Sequence, residues 1–456
     1  MDEAAPTQSQ SEENARQTVT CSRCGATSTL PELFKFGSIA QHRSGLMCPP
    51  CYEERRAFYQ KRFVEAMCAI ILIGVLLWSR NLVQVAFIPI SVAVGFFFTI
   101  LLTPLHEFAH ALTAVALNLR VYSIEIGWFG KRLVQFYVGR CSFEVKRLPL
   151  GGMTYVAHPS PNWIRTKEFL VVAAGPLLHC VLLYLTWHVI DSTDYADWTP
   201  EWVTWLLVAF ALANAFEIVL NLWPKRYRSA IGDLPNDGLA LLKLPFMTQE
   251  EIDLYHLAYF YYECLARLRQ DDHAGATAYC AEGLKKFPDN VSLKWCQAAI
   301  ALDQDRWDDA RRIFEEARAL PQMTPEGNAL LLTSIAWADL ISWVPTELGQ
   351  ADDYSRQAID ALPWRPEVKG TRGSVLVASG LVEPGMHLLR QALAENEETE
   401  NRALNAAFLA LGSARLGNMD EALIFLKRAE RLDPRCRQLE HIRQEVGRLT
   451  HEPAQN

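Results

Sequence analysis

Along this chain the hydrophobic positions fall into a polar start, a strongly apolar middle and a long amphipathic second half. Phe63 to Trp78 ("FVEAMCAIILIGVLLW") is just long enough to span a bilayer with its flanks. Val83 to Leu117 is apolar for 35 residues. As one straight helix at about 1.5 Å per residue it would exceed ~50 Å, against a hydrocarbon core of about 30 Å. Pro89 and Pro104 are natural places for it to enter, kink or break, so the span is expected from about residue 86. Phe169 to Ile190 and Trp202 to Trp223 complete a predicted set of four spans. Between the second and third, "VYSIEIGW", "LVQFYVG" and "CSFEVKRL" alternate and are rich in β-branched and aromatic residues. They predict short strands at the membrane surface.

The second half changes character from about residue 255, where Ala, Leu and charged residues recur at a period near 34. The clearest copy, "ALNAAFLALGSARLGNMDEALIFLKRAERLDP", has small residues at Ala410, Ala422 and Ala429, a turn at Gly417–Asn418 and Pro434 closing the unit. Ala276, Gly283 and Pro288 stand at the corresponding places of the first copy. Ala310 with Ala317, Ala351 with Ala358, and Gly385 with Ala392 mark the others. Small residues let paired helices approach closely, and each pair needs its neighbours to cover its apolar face. Residues 255–436 thus resemble the tetratricopeptide repeat family, with about five copies; an unrelated helical bundle is the alternative. The resemblance implies an α-solenoid that binds protein partners.

Charge adds orientation. The formal net charge of -8 argues against general nucleic-acid binding. Arg55, Arg56, Lys61 and Arg62 precede the first span, seven Lys and Arg between 131 and 167 separate the second from the third, and Lys225, Arg226 and Arg228 follow the fourth. The loop from Asp191 to Glu201 has none. The positive-inside rule puts both termini and the 118–168 segment in the cytoplasm. The first sixty residues are polar and lack a cleavable apolar core, so no signal peptide is expected. Of the 11 cysteines only four form a pattern: "CSRC", Cys21 and Cys24, and "CPPC", Cys48 and Cys51, with 23 residues between. Two such knuckles fit a tetrahedral zinc site. So small a unit cannot bury enough core to fold without metal. Unpaired thiols or a redox pair are the alternative. Four thiolates leave no open position for catalysis.

The chemistry lies in "HEFAH", inside the second apolar run. His106 and His110, four apart on a helix, project from one face and can chelate one metal. Glu107 lies beside them and can take a proton from a metal-bound water. Two imidazoles suit zinc, with room for a third ligand and a water. Polar side chains at membrane depth are costly and mark function. The third ligand must lie at the same depth; Asp237, followed by Gly238, can supply a carboxylate, and Asp233 is the competitor. Glu217, one turn before Asn221, shares its face on the fourth span, as a group behind the metal or as a packing contact.

Together these residues resemble the site-2 protease family of intramembrane zinc metalloproteases. "HEFAH" matches its HExxH, and "NLWP" followed by "DG" its Asn-x-x-Pro…Asp-Gly element. "LPLGGMTYV", with Gly151 and Gly152, is similar to its Pro-Leu-Gly-Gly strand segment, and "AAGPLLH" to its Gly-Pro-x-x-Asn element. The resemblance covers about residues 63–245. It implies Asp237 as the third ligand, Asn221 near substrate or the zinc water, and Gly151 and Gly152 on a strand that meets substrate. There are two departures. Twelve residues separate Pro224 from Asp237, where the family has a short spacing. His179 stands where Asn is usual, either hydrogen-bonding in that role, serving as a second polar group near the metal, or packing.

The expected architecture is mostly α. A disordered tail (1–20) and a zinc knuckle (21–55) precede a four-span membrane core with surface strands (62–245), a repeat domain (250–440) and a tail (441–456). The expected function is an intramembrane zinc endopeptidase carrying one catalytic and one structural Zn2+. Its partners are a transmembrane protein substrate, proteins that bind the repeats, and the lipid bilayer, with no nucleic acid. Its expected place is a bacterial inner membrane. The alternative is a non-proteolytic membrane-anchored scaffold working through its repeats.

Overall fold

A computed structural model describes residues 18–30, 33, 35–36, 46–80, 83–127, 129–192, 200–229, 232–344, 348–436 and 438–451. Most of residues 1–20, residues 452–456, part of the knuckle and most of the 191–201 loop fall outside these residues. The contacts divide the chain into two units, residues 53–279 and residues 1–52 with 280–456.

The first unit is built on α1 (Pro49–Ser79, which begins in the other unit), α2 (Val83–Ala116), α3 (Ile164–Asp191) and α4 (Glu201–Leu222). Among the described residues three stretches are long and apolar enough to cross a membrane: Pro89–Ala116, Ile164–Asp191 and Trp202–Leu222. They match the second, third and fourth predicted spans. The first predicted span, Phe63–Trp78, is helical as the second half of α1, and its Phe63 rests edge-on against Phe96 of α2 at 5.3 Å. Helix α2 does not break at its prolines; Pro89 and Pro104 lie inside it. Without competing water, a helix is the cheapest way to satisfy the remaining backbone groups, and neighbouring helices support the turn that lacks a donor.

Helices α2, α3 and α4 pack against one another. Their side-chain pattern is the reverse of a soluble helix. On α2, Leu101, Leu105, Leu112 and Val115 are exposed, whereas Thr99, Thr103, His106, Glu107 and His110 are buried. Outward apolar and inward polar residues are what a lipid solvent selects.

A four-stranded sheet, order β6-β7-β5-β8, lies between α2 and α3 in sequence: β5 (Arg120–Ile126), β6 (Phe129–Val138), β7 (Cys141–Leu148) and β8 (Gly152–Ala157). The three predicted strands are present, and β8, with the Gly-Gly segment at its start, adds the edge. Strand β5 pairs parallel with β7 and antiparallel with β8. Both β5 and β8 pack on α2. The sheet is locked in turn to α6 (Gln249–Leu268), the first helix of the repeat region. There the buried Glu263 carboxylate accepts from Tyr122 Oη at 2.7 Å and from Arg140 Nη1 at 2.8 Å. Removing one partner of such a buried, paired charge costs on the order of 3–5 kcal/mol.

In the second unit the repeat reading holds. Consecutive helices pack in pairs: α8 (Val291–Asp303) with α9 (Trp307–Arg318), α10 (Pro325–Ile341) with α11 (Leu348–Ala361), α12 (Pro366–Ala378) with α13 (Val382–Glu395), and α14 (Thr399–Arg415) with α15 (Met419–Leu432). The first copy falls on α6, in the first unit, and α7 (His273–Lys286), which crosses the boundary at 279. Ala310, Ala317, Ala351, Ala358, Ala392, Ala422 and Ala429 are all fully buried, as close packing of paired helices requires. Residues 441–456, expected as a tail, carry most of α16 (Gln438–His451). Leu439, Ile442 and Val446 recur at helical spacing and join the core of the last pairs.

The knuckle belongs to this same unit. Its strands β1 (Val19–Thr20) and β2 (Thr27–Ser28) form one hairpin, and β3 (Lys35–Phe36) pairs β4 (Leu46–Met47). Ser28 Oγ donates to the Ala361 carbonyl at 2.5 Å, Thr29 N donates to that of Asp360, and Leu30 is buried among Ala329, Leu332, Ala358 and Leu362. Trp364 packs on the cysteine cluster from the repeat side.

Candidate metal centres

Sequence places His106 and His110 one helical turn apart; the fold adds the third donor. His106 Nε2 lies 3.0 Å from Asp237 Oδ2 and 3.0 Å from His110 Nε2, and His110 Nε2 lies 3.6 Å from Asp237 Oδ2. One donor atom from each of the three residues lies within 4.8 Å of those of the others, a spacing that one cation can bridge. Burial alone pushes the Asp237 carboxyl up. Its contacts with the two facing imidazoles, His106 and then His110, outweigh this and draw it below the usual carboxylate range.

Asp237 is the first residue of α5 (Asp237–Lys243), and Asn236 fixes it there. The Asn236 side-chain amide donates to the carbonyls of Leu220, Asn221 and Trp223 at the end of α4. Its oxygen accepts from Lys225 N and, as the helix cap, from Leu239 N. The long Pro224–Asp237 connection is thereby explained. It is a hairpin of β9 (Arg226–Ser229) and β10 (Gly232–Pro235), whose first and last residues pair, so the chain returns to its starting point. Asp233 sits on β10 opposite Arg228; the group around the two histidines is completed by Asp237.

Both imidazoles are oriented from behind. His110 Nδ1 lies 2.7 Å from the Val171 carbonyl. His106 Nδ1 lies 3.1 Å from His179 Nε2, and His179 Nδ1 3.0 Å from Asn214 Oδ1. Glu107 is buried, with Oε2 accepting from Thr154 Oγ1 of β8 at 2.7 Å. Two glycines of the sequence motifs have steric reasons. A Cβ on Gly175 would stand 2.5 Å from His106 Cε1, and one on Gly152 2.6 Å from Glu107 Cγ. Gly151 has φ +72° and accepts from Gly127 N, turning the chain into β8. Asn221 donates to Glu217 at 3.1 Å. Sequence reasoning did not single out Thr154 or Asn236. An Asn immediately before a helix start is a capping signal that could have revealed Asn236; Thr154 carries no local signal.

The second cluster is Cys21, Cys24, Cys48 and Cys51, with sulfurs again within 4.8 Å of one another. Burial raises the Cys21 thiol, but the backbone amides around it outweigh this and draw it down to about 6. Burial pushes Cys48 up to about 12 and Cys51 higher still. Four thiols so close cannot all ionise without a cation among them, and a soft divalent ion fits this donor set.

No curated protein gives a significant match. Among solved structures, a thermophilic TPR protein of Thermus thermophilus is 18% identical over 42% of this chain and 98% of its own, with a TM-score of 0.34. YrrB, a TPR protein with an unusual peptide-binding site, is 14% identical over 41% and 90%, with a TM-score of 0.28. The family model for peptidase family M50 matches residues 92–421, 330 of the 456 residues, and so takes in the HEFAH helix, Asp237 and most of the repeats. The chain belongs to peptidase family M50, the zinc-dependent, membrane-embedded metalloproteases of the site-2 type.

Proposed function

We propose that this protein is an intramembrane zinc endopeptidase that hydrolyses peptide bonds in or near transmembrane helices of other membrane proteins. The observation that carries the reading is the meeting of His106, His110 and Asp237 beside a buried Glu107. His106 Nε2, His110 Nε2 and the Asp237 carboxylate would hold the ion, three protein donors being the number that leaves an open position. Bound zinc supplies Lewis acidity for the scissile carbonyl and for the attacking water. Glu107 takes the proton from that water and passes it to the leaving amine. Thr154 occupies Oε2 of Glu107, which leaves Oε1 for proton transfer.

Strand β8 is a sheet edge and carries Thr154, so a substrate segment added along that edge would run past the base. A helical substrate must unwind locally to do so, because helical amides are shielded by their own hydrogen bonds. Asn221 and Glu217 are proposed to serve substrate from the end of α4. The four-cysteine knuckle is proposed to hold one structural Zn2+ and the repeats to bind protein partners that recruit or regulate. Phe63–Trp78 is proposed as a fourth span. The basic flanks support both termini in the cytoplasm, and a bacterial inner membrane is proposed from the compact four-span core.

The test is expression with a library of single-span substrates beside Glu107→Gln. Cleavage by the native chain alone is expected. Cleavage by both forms, or by neither, would favour a membrane-anchored scaffold acting through its repeats.

A further inference from the structure

We propose that His179 is a positioning residue that, with Asn214, sets the tautomer and aim of the metal ligand His106. The inference rests on the metal-centre reading above and concerns a residue that departs from the family's usual Asn.

The hydrogen-bond polarity can be read from one end to the other. Asn214 Nδ2 donates to the Phe210 carbonyl at 2.9 Å, and a carbonyl can only accept. That fixes the amide, so Asn214 Oδ1 is the atom facing His179 Nδ1 at 3.0 Å. An oxygen there requires the proton on His179 Nδ1, and a neutral imidazole then has a lone pair at Nε2. His179 Nε2 faces His106 Nδ1 at 3.1 Å and so accepts its proton. With the proton on Nδ1, His106 presents a lone pair at Nε2, the atom that meets His110 and Asp237. His110 reaches the same state by a shorter route, since its Nδ1 faces the Val171 carbonyl. His179 and Asn214 are both fully buried, and no water is needed to complete the chain.

Reach explains the histidine. The polar atoms of an asparagine stand at the level of an imidazole Nδ1, one ring further from His106 than Nε2. His179 extends the contact across that gap and leaves its near nitrogen to be satisfied by Asn214 from the neighbouring helix. Its ring also stacks on that of His106, with centroids 5.2 Å apart. Outer partners of this type commonly change metal affinity about 10- to 100-fold.

The experiment measures zinc retention by the full-length chain in detergent against a graded chelator. The thiolate step is identified by its disappearance in the Cys21→Ser/Cys24→Ser form. His179→Leu, which keeps volume and removes the acceptor, is expected to weaken the other step about 10- to 100-fold, with the thiolate step unchanged. His179→Gln, whose Oε1 can accept where Nε2 does, is expected to recover most of the loss. Unchanged affinity in His179→Leu, or equal loss in Leu and Gln, overturns the relay and leaves packing as the role. If His179→Leu does not fold, Asn214→Leu provides the second arm: it touches no ligand yet is expected to weaken the same step, and an unaltered affinity there overturns the proposal. A native chain that binds one zinc only, in the thiolates, overturns the metal-centre reading itself.

Discussion

The cysteine cluster draws its four donors from residues 21–51, through short hairpins and tight turns, whereas the histidine–aspartate cluster joins residues 131 positions apart on different helices. The first surrounds its centre with four donors of one kind. The second has three donors, a carboxylate next to them and a ring of hydrogen bonds behind. The local cluster has little core of its own and leans on the repeats through Ser28, Leu30 and Trp364. The long-range cluster is preformed by helix packing and can keep a position open. On the proposed reading, the first would hold an ion that supports a fold and the second one that does chemistry.

The largest effect that could break this distinction is expected at Glu107. Glu107→Gln is expected to lower cleavage by at least about 10²-fold with both zinc ions retained, checked by substrate processing beside metal analysis. Loss of zinc in that variant would make Glu107 a donor rather than a base. Next, Cys21→Ser with Cys24→Ser is expected to remove one zinc equivalent and to raise hydrogen exchange around Leu30 and 358–368, while cleavage of a minimal single-span substrate persists. Cleavage lost as fully as in Glu107→Gln would erase the contrast between the two centres.

Thr154→Val removes one hydrogen bond to a carboxylate, about 1.5–3 kcal/mol by general experience, so a fall of about tenfold or more in cleavage is expected at unchanged zinc content. Asn236→Ala removes a helix cap, about 1 kcal/mol, and the ties that aim Asp237, so zinc affinity at the histidine site is expected to fall. The smallest effect is expected from replacing 226–235 by a two-residue turn. If the hairpin is an insertion that returns to its origin, the shortened chain keeps two zinc ions.

Much of this was readable because it is local. The spans follow from runs of apolar residues, the repeats from a period near 34, and the His106–Glu107–His110 face from the 3.6-residue turn. The cysteine knuckles carry their own spacing. Where the expectation weakened, the cause was distance along the chain. The twelve residues between Pro224 and Asp237 looked like an obstacle to the third ligand, since sequence length does not reveal that a hairpin has no net displacement. Prolines 89 and 104 looked like breaks, since local propensity does not include support from neighbouring helices.

Sequence by itself determined the apolar spans, the repeat region, the four-cysteine pattern and the shared face of His106, Glu107 and His110. Tertiary structure alone decided that Asp237 meets the two histidines, that Thr154 holds Glu107, that Asn214 and His179 stand behind His106, and that the knuckle rests on the repeats through Ser28 and Leu30. The physical reason is the same in each case. Donor type and helical phase are written in neighbouring residues, but a hydrogen bond or a shared ion between remote residues depends on how whole helices pack.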